Sequence, residues 1–187
     1  ADREVPRAVL HAVAAEGRSL LTEDEAKAVL AAYGVPTPRT LIADSAAAVE
    51  RAAGELLATA PAVVVKVRAK AISHKSDIGG VALNLATPAA AGAAAQAMAA
   101  RFAAATPPLP IEGFTVQPMI RKAGEELIVG LSSDASFGPV IMFGAGGTAV
   151  EVIDDTATGL VPLDDVLAAD LIDRTRISRR LAGYRDH

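Results

Sequence analysis

Apolar positions along the chain recur at two spacings, one typical of helices and the other typical of strands. A capping box at 22–25 opens a helix whose apolar positions recur every three or four residues up to Tyr33, and Gly34 with Pro36 ends it. Helices are also predicted over 46–57 and from Pro88 to about 104. Continuous or alternating apolar runs predict strands at 40–43, 62–67, 81–85, 114–120, 126–131, 140–143 and 148–153.

The order of these elements predicts an α/β (α+β) fold in two lobes, with mixed and largely antiparallel sheets. Helices dominate the first half, and strands follow the proline-rich stretch 106–110. Near the end, Asp164 is expected to cap a helix over 166–175, and a last polar helix reaches 184. We therefore expect a linker or leading helix over 1–19, a first lobe over 20–109 and a second lobe over 110–187.

Composition excludes several classes of protein. Of the 187 residues, 51% are hydrophobic and 21% are charged, which is typical of a globular chain. The net charge of -4 and the lack of a basic stripe argue against a nucleic-acid partner. Without cysteine there is neither a disulfide nor a cysteine-type zinc site. No apolar run of membrane-spanning length and no signal-peptide pattern is present, so we expect a cytoplasmic protein without a membrane partner.

A single lysine, Lys66, interrupts the apolar, β-branched run 62–67. Such strands are normally buried and seldom contain an unpaired lysine, so the ammonium needs an anion. A nucleotide phosphate suits it, because a phosphate accepts charge-assisted hydrogen bonds. The alternative is a lysine whose stem packs against the strand while its ammonium reaches water.

The loop after this strand carries His74, Lys75, Gly79 and Gly80. Its glycines allow the backbone to approach a phosphate closely, and Lys75 adds positive charge. An imidazole titrates near neutrality and can attack a phosphoryl group, so His74 is a candidate phosphohistidine. The alternative is a surface histidine without a chemical role.

Glu151 and Asp155 belong to an acidic cluster after the glycine-rich segment 144–149. One or two carboxylates, together with water and phosphate oxygens, typically hold Mg²⁺, so both residues are candidate ligands. A solvated turn is the alternative. The segment also matches the dinucleotide pattern G-x-G-x-x-A, but the residues after it do not predict the helix on which a pyrophosphate would bind.

Several motifs in order resemble one family, the ATP-grasp domain of NDP-forming acyl-CoA synthetases. The resemblance covers nearly the whole chain, from about residue 20 to 184. The motifs that carry it are 21–27, 33–36, 64–66, 74–81, 126–130, 137–139, 143–147 and the pair Val150 and Glu151.

The resemblance implies ATP or ADP held with Mg²⁺ between two lobes. Lys66 would contact the phosphates, residues 117–120 would form the adenine hinge, and Glu126 would face the ribose or phosphates. Glu151 and Asp155 would lie on the metal side, and His74 would pass phosphate between a CoA-ligase half and ADP. The implied nucleotide-binding residues are Lys66, Lys75, Gly79, Gly80, Gln117, Pro118, Met119, Ile120 and Glu126.

The function that this resemblance implies is coupling of nucleotide phosphoryl transfer, through a phosphohistidine, to acyl-CoA formation. CoA-binding and ligase domains would be supplied by the parent chain or a partner subunit. Two departures bear on this: Gly159 stands where many members have an arginine, and the sequence ends before a strand that supplies another metal ligand. We therefore expect a C-terminally truncated fold that is inactive alone.

Two alternatives remain at this point. The ending of the chain resembles the long multidomain members, some of which carry a fused GNAT acetyltransferase domain. In such a protein the domain would be a non-catalytic regulatory module that binds a nucleotide or another ligand. The other alternative is a domain that keeps the fold for assembly and no longer binds nucleotide.

Overall fold

The chain folds into two compact units, Ala1–Ile120 and Arg121–His187. The computed structural model describes residues 3–69, 78–121, 124–147 and 155–183. Within them the fold is mixed α/β with antiparallel sheets, as predicted from the sequence. The strand predicted at 148–153 lies outside the described residues. No helix in the described ranges is long and apolar enough to cross a membrane.

The first unit contains four helices and four strands among its described residues. In chain order they are α1 (Glu4–Ala15), α2 (Glu23–Ala32), β1 (Leu41–Ala43), α3 (Ala46–Leu57), β2 (Val63–Arg68), β3 (Val81–Leu85), α4 (Pro88–Ala104) and β4 (Gly113–Pro118). The strands form one antiparallel sheet in the order β1-β4-β2-β3.

Three helices of this unit, α2, α3 and α4, begin where the sequence predicts. The side chains of Ser45 and Thr87 accept hydrogen bonds from the N–H groups of Ala48 and Ala90, so they cap α3 and α4. At the start of α2, the Thr22 N–H donates to the Glu25 carboxylate at 2.7 Å. These caps are local, because donor and acceptor lie three residues apart, and sequence patterns predict them well.

The sheet of the first unit has one apolar and one polar face. Residues 63, 65 and 67 of β2 are completely buried, and with Phe114 and Val116 of β4 they pack in the core formed with α3 and α4. The intervening residues of β2 point to the opposite face because side chains alternate along a strand. Lys66 and Arg68 therefore share a face, and the register of β4 adds Gln117 to it.

The second unit contains a three-stranded antiparallel sheet and two helices among its described residues. They are β5 (Leu127–Asp134), β6 (Gly138–Ala145), β7 (Thr156–Leu160), α5 (Asp165–Asp173) and α6 (Ile177–Leu181). Phe143, Leu171 and Ile177 form its buried core. The sequence pattern missed β7, which has no apolar run, whereas Asp164 caps α5 as predicted by accepting from the Leu167 N–H at 2.8 Å.

The boundary between the two units falls later in the sequence than the proline-rich stretch 106–110 predicted. Strand β4 pairs with β1 and β2, so it completes the first sheet, and the division falls after Ile120 rather than after residue 109. Leu109 packs against the core of the first unit, and its N–H donates to the Phe102 carbonyl at 3.0 Å. The prolines thus mark a turn within the first unit.

Candidate functional site

Lys66 lies on the polar face of β2, and its ammonium already has an anionic partner. Its Nζ is 2.7 Å from Glu23 Oε1 on α2. The lysine side chain is 24% exposed. Among the described residues Glu23 is its hydrogen-bond partner, and an ammonium has three donors, so two donors remain available on this face.

Glu23 bridges Lys66 to a second lysine, Lys27, whose Nζ lies 2.8 Å from the same Oε1 atom. Lys27 also donates to Thr40 Oγ1 at 3.0 Å and to Gln117 Oε1. A connected polar cluster, Glu23, Lys27, Thr40, Lys66 and Gln117, therefore covers part of the polar face. We call it the α2 cluster.

Glu23 is ionised in this cluster at neutral pH. Its burial tends to raise the pKa of the carboxyl, but hydrogen bonds from Lys27 and Lys66 outweigh that effect, and the pKa is lowered. Two ammonium groups against one carboxylate leave the cluster with an excess of positive charge. An anionic ligand at the polar face would therefore be attracted electrostatically.

The first turn of α2 makes two further ion pairs. Asp24 accepts from Arg68 Nε at 3.0 Å and from its Nη2 at 3.1 Å, and Glu25 accepts from Arg18 at 2.7 Å. No described residue of α2 is buried, so the helix is attached to the polar face mainly by charged groups. Carboxylates at a helix N-terminus are also favoured by the helix dipole.

Gln117 is the predicted hinge residue that the structure connects to Lys66, through Lys27 and Glu23. It is 8% exposed and lies opposite Val64 in the register of β2 and β4. Pro118 ends β4, the Met119 N–H donates to the Ala62 carbonyl at 2.9 Å, and Ile120 is 62% exposed. Of the four predicted hinge residues, Gln117 and Pro118 therefore end β4, and Met119 and Ile120 follow it directly.

The end of the predicted phosphate loop also lies beside β2. The Gly80 carbonyl accepts from the Val67 N–H at 2.8 Å, and the next residue, Val81, is paired with Lys66. Gly79 has φ +69, a conformation that favours glycine, and its carbonyl accepts from Arg101 Nη1 at 2.9 Å. His74 and Lys75 lie outside the described residues.

In the second unit, Glu126 lies against the glycine pair that follows β6. Its carbonyl accepts from the Gly146 N–H at 2.7 Å, and a side chain at Gly147 would overlap its carboxylate. A Cβ at Gly146 would lie 2.8 Å from the Leu127 carbonyl carbon. Close packing therefore accounts for these two glycines without a dinucleotide ligand.

Asp155 has a structural role in the described geometry. It is 8% exposed, and its two carboxylate oxygens accept from the N–H groups of Arg176 and Ile177 at 2.7 and 2.8 Å, which caps α6. Burial tends to raise its pKa, but these hydrogen bonds lower it overall. Glu151 lies outside the described residues, and the described ranges contain no group of three or more potential metal ligands. The metal site stays a prediction.

Sequence reasoning did not assign a role to Glu23, Lys27 or Thr40. The first two lie in the motif 21–27, and their spacing of four residues predicts an ion pair on one face of α2. That local signal was available. The contact with Lys66 joins residues far apart in sequence, so no local pattern could predict it.

Comparison with known proteins identifies one family. A family model described as an ATP-grasp domain matches residues 12–187. The 4-hydroxybutyrate–CoA ligase (ADP-forming) of Nitrosopumilus maritimus is 36% identical over 170 residues, which are 91% of this chain and 24% of that protein. The beta subunit of acetate–CoA ligase (ADP-forming) II of Pyrococcus furiosus is 33% identical over 95% of this chain and 73% of the subunit.

Solved structures agree with this result. The dinucleotide forming acetyl-coenzyme A synthetase 1 of Ca. Korarchaeum cryptofilum, in complex with coenzyme A, Ca-AMPCP and HgCl+, has a TM-score of 0.84 and 33% identity over 96% of this chain and 76% of that one. In another structure of this synthetase, with coenzyme A and Mg-AMPPCP, the phosphohistidine segment points towards the nucleotide binding site. That structure has a TM-score of 0.75 and 30% identity over 96% of this chain and 75% of that one.

Proposed function

The chain belongs to the family of ATP-grasp domains found in ADP-forming acyl-CoA ligases, and on that premise we propose that it binds ATP or ADP on the polar face of the first unit. The observation that carries the proposal is Lys66, whose neighbours on β2 are buried while its own ammonium lies in a cluster with excess positive charge. Two of its donors are available for phosphate oxygens, which form strong charge-assisted hydrogen bonds.

The other predicted residues would take further roles in nucleotide binding. Gln117 and residues 118–120 would bind the adenine ring, and Gly79, Gly80 and Lys75 would approach the phosphates. Glu126 would face the ribose or phosphate side. Phosphoryl transfer depends mostly on positioning and charge neutralisation, so a fixed ammonium beside a close-approaching backbone is suited to it.

In the whole protein we propose that nucleotide phosphoryl transfer is coupled to acyl-CoA formation. In the direction of acyl-CoA formation, an imidazole nitrogen of His74 would attack the γ-phosphorus of ATP and the bond to the β-phosphate oxygen would break, releasing ADP. The phosphoryl group would then pass from the imidazole nitrogen to an acceptor in the ligase half, which returns neutral imidazole. The names of the relatives and the phosphohistidine segment of the Ca. Korarchaeum synthetase support this. The chain spans 24% of the Nitrosopumilus ligase, so CoA-binding and ligase domains would lie elsewhere in the parent protein or in a partner subunit.

We propose Mg²⁺ as the accompanying ion, because a nucleotide in this family has been observed as Mg-AMPPCP. When bound, the ion would neutralise phosphate charge. Glu151 is the candidate ligand from this chain. Since both oxygens of Asp155 already accept backbone hydrogen bonds, the described geometry does not favour Asp155 as a ligand.

The comparisons do not support a regulatory module fused to an acetyltransferase, so we do not propose that alternative.

Calorimetric titration of the 187-residue chain with ATP, with and without Mg²⁺, tests nucleotide binding. We expect saturable binding that Mg²⁺ strengthens. A folded sample that binds neither ATP nor ADP would contradict the proposal. Titration with inorganic tripolyphosphate distinguishes a nucleotide site from a general attraction of anions. Equal affinity for ATP and for tripolyphosphate would also contradict the proposal.

A further inference from the structure

Lys27 has no donor left for a ligand. A lysine ammonium has three protons, and the Nζ of Lys27 lies within hydrogen-bond distance of three acceptors, on Glu23, Thr40 and Gln117. Its side chain is 16% exposed. Lys27 therefore differs from Lys66, which has one partner among the described residues. Any effect of Lys27 on a ligand must act through its neighbours.

The first neighbour is Gln117. An ammonium only donates, so the amide oxygen of Gln117 must be the atom that faces Lys27, and the amide nitrogen must point elsewhere. Lys27 thereby selects one of the two orientations of the amide. Because Gln117 is nearly buried on the same face as Lys66, a fixed amide presents its two N–H donors in one direction.

The second neighbour is Glu23, whose Oε1 atom is shared by both lysines. If Lys27 lost its charge, Glu23 would pair with Lys66 alone, and the cluster would lose its excess positive charge. Lys66 would then be held by a carboxylate that competes directly with a phosphate for the ammonium. Lys27 offsets the charge of Glu23 and keeps Lys66 available to an anion.

We propose that Lys27 is a positioning residue of the nucleotide site, which orients the Gln117 amide and, through Glu23, maintains the positive charge at Lys66. The inference rests on the proposed function, because it assumes that Lys66 and Gln117 contact the nucleotide. It adds a residue that touches neither phosphate nor base.

The test compares Lys27→Met with Arg68→Met by calorimetric titration with ATP and by thermal unfolding. Arg68 is the matched control because it ties α2 to the same strand through Asp24, whereas no hydrogen bond or ion pair between Arg68 and Gln117 or Glu23 is found among the described residues. We expect Lys27→Met to weaken ATP binding about tenfold, as for one charge-assisted hydrogen bond. The ATP affinity of Arg68→Met should stay within threefold of that of the unmodified chain, even where its melting temperature falls as much as that of Lys27→Met.

A double-mutant cycle with Gln117→Leu shows whether Lys27 acts through the amide. We expect the effect of Lys27→Met on ATP affinity to shrink to about threefold when Gln117 is already replaced. Should Lys27→Met fail to fold, Lys27→Gln replaces it in the same cycle, since its amide can still donate to Glu23.

The outcomes separate the two proposals. If the unmodified chain binds ATP and the Lys27 variant binds equally well, the positioning role is overturned while nucleotide binding stands. Equal weakening by the Lys27 and Arg68 variants, or full additivity with Gln117→Leu, would overturn it as well. If the unmodified chain does not bind ATP, the proposed function itself fails.

Discussion

The ammonium of Lys66 and the carboxylate of Asp155 illustrate how a residue's environment decides its role. Both residue types suit nucleotide chemistry, one as a phosphate contact and the other as a metal ligand. Lys66 retains donors on a positively charged face, whereas both oxygens of Asp155 accept hydrogen bonds from the backbone. The structure therefore favours a ligand-binding role for the first and a capping role for the second.

Replacing Lys66 with Met is expected to weaken ATP binding by about ten- to hundredfold, because one charge-assisted hydrogen bond contributes roughly 1.5–3 kcal/mol. Calorimetric titration measures the effect. Arg51→Met on α3 removes a positive charge from an exposed position of the same unit and serves as the control. Equal affinities for the Lys66 variant and the unmodified chain would remove Lys66 from the site.

Replacing Asp155 with Ala is expected to destabilise the chain by about 1–3 kcal/mol, since two N–H groups at the start of α6 lose their acceptor. Urea unfolding followed by circular dichroism measures the change in free energy. Mg²⁺-dependent ATP binding should persist at a temperature where the variant is folded. A variant of unchanged stability that had lost the Mg²⁺ dependence would instead establish Asp155 as a metal ligand.

At the scale of elements, α2 contains most of the sequence motif 21–27, and the charged side chains of this motif pair with residues on the polar face of the first sheet. Its first turn carries three consecutive carboxylates: Glu23 and Asp24 pair with Lys66 and Arg68 of β2, and Glu25 pairs with Arg18, which precedes α2. A helix without buried residues has little hydrophobic attachment, so these pairs contribute to holding it in place, together with its packing against α1. The position of α2 should consequently depend on pH.

Acid should destabilise the attachment of α2. The hydrogen bonds from Arg18 lower the pKa of Glu25 to about 2, against an ordinary value of 4.5, and the pKa values of Glu23 and Asp24 are also lowered. A lowered pKa in the folded state means that the stabilisation is complete above pH 4.5 and is lost as the pH falls towards 2.

Unfolding measurements between pH 6 and about 2.5 test this dependence. We expect Glu25→Gln to be less stable than the unmodified chain at pH 6 and to lose less of its remaining stability on acidification. The two curves should therefore converge at low pH. Curves that stay parallel over the whole range would show that the Arg18–Glu25 pair does not contribute to folding.

At the scale of the whole molecule, this chain provides two compact units and about a quarter of the length of the Nitrosopumilus ligase. Nucleotide binding can be measured on the chain itself, because Lys66 and Gln117 lie in one unit. The proposed complete reaction would require the domains that we propose to lie elsewhere. Predictions about His74 therefore belong to the parent protein.

In the parent protein, His74→Ala is expected to keep the ATP affinity within about twofold of that of the unmodified protein. Acyl-CoA formation should be abolished, because the phosphoryl carrier is lost. Radiolabelled phosphate on the protein and acyl-CoA yield are the two measurements. His11→Ala is the matched control, since His11 lies on an exposed position of α1. An His74 variant that forms acyl-CoA at the normal rate would disprove the phosphohistidine proposal.

Most of the fold could be predicted from local patterns, whereas the pairing of strands could not. The caps at Ser45, Thr87 and Asp164 and the glycines that end helices act within a few residues. Strand β7 was missed because its sequence, with Gly159 and two threonines, is not apolar and its partner β6 stabilises it. Long-range pairing likewise assigned β4 to the first sheet.

By itself the sequence determined the family, the positions of the helices and the candidate status of Lys66 and residues 117–120, because these depend on motifs, caps and alternation along the chain. The tertiary structure alone decided that Glu23 bridges Lys66 to Lys27, that Lys27 orients Gln117, and that Asp155 caps α6. The physical reason is distance: hydrogen bonds and ion pairs act over a few ångströms in space, and folding brings together groups that lie 21 to 90 residues apart along the chain.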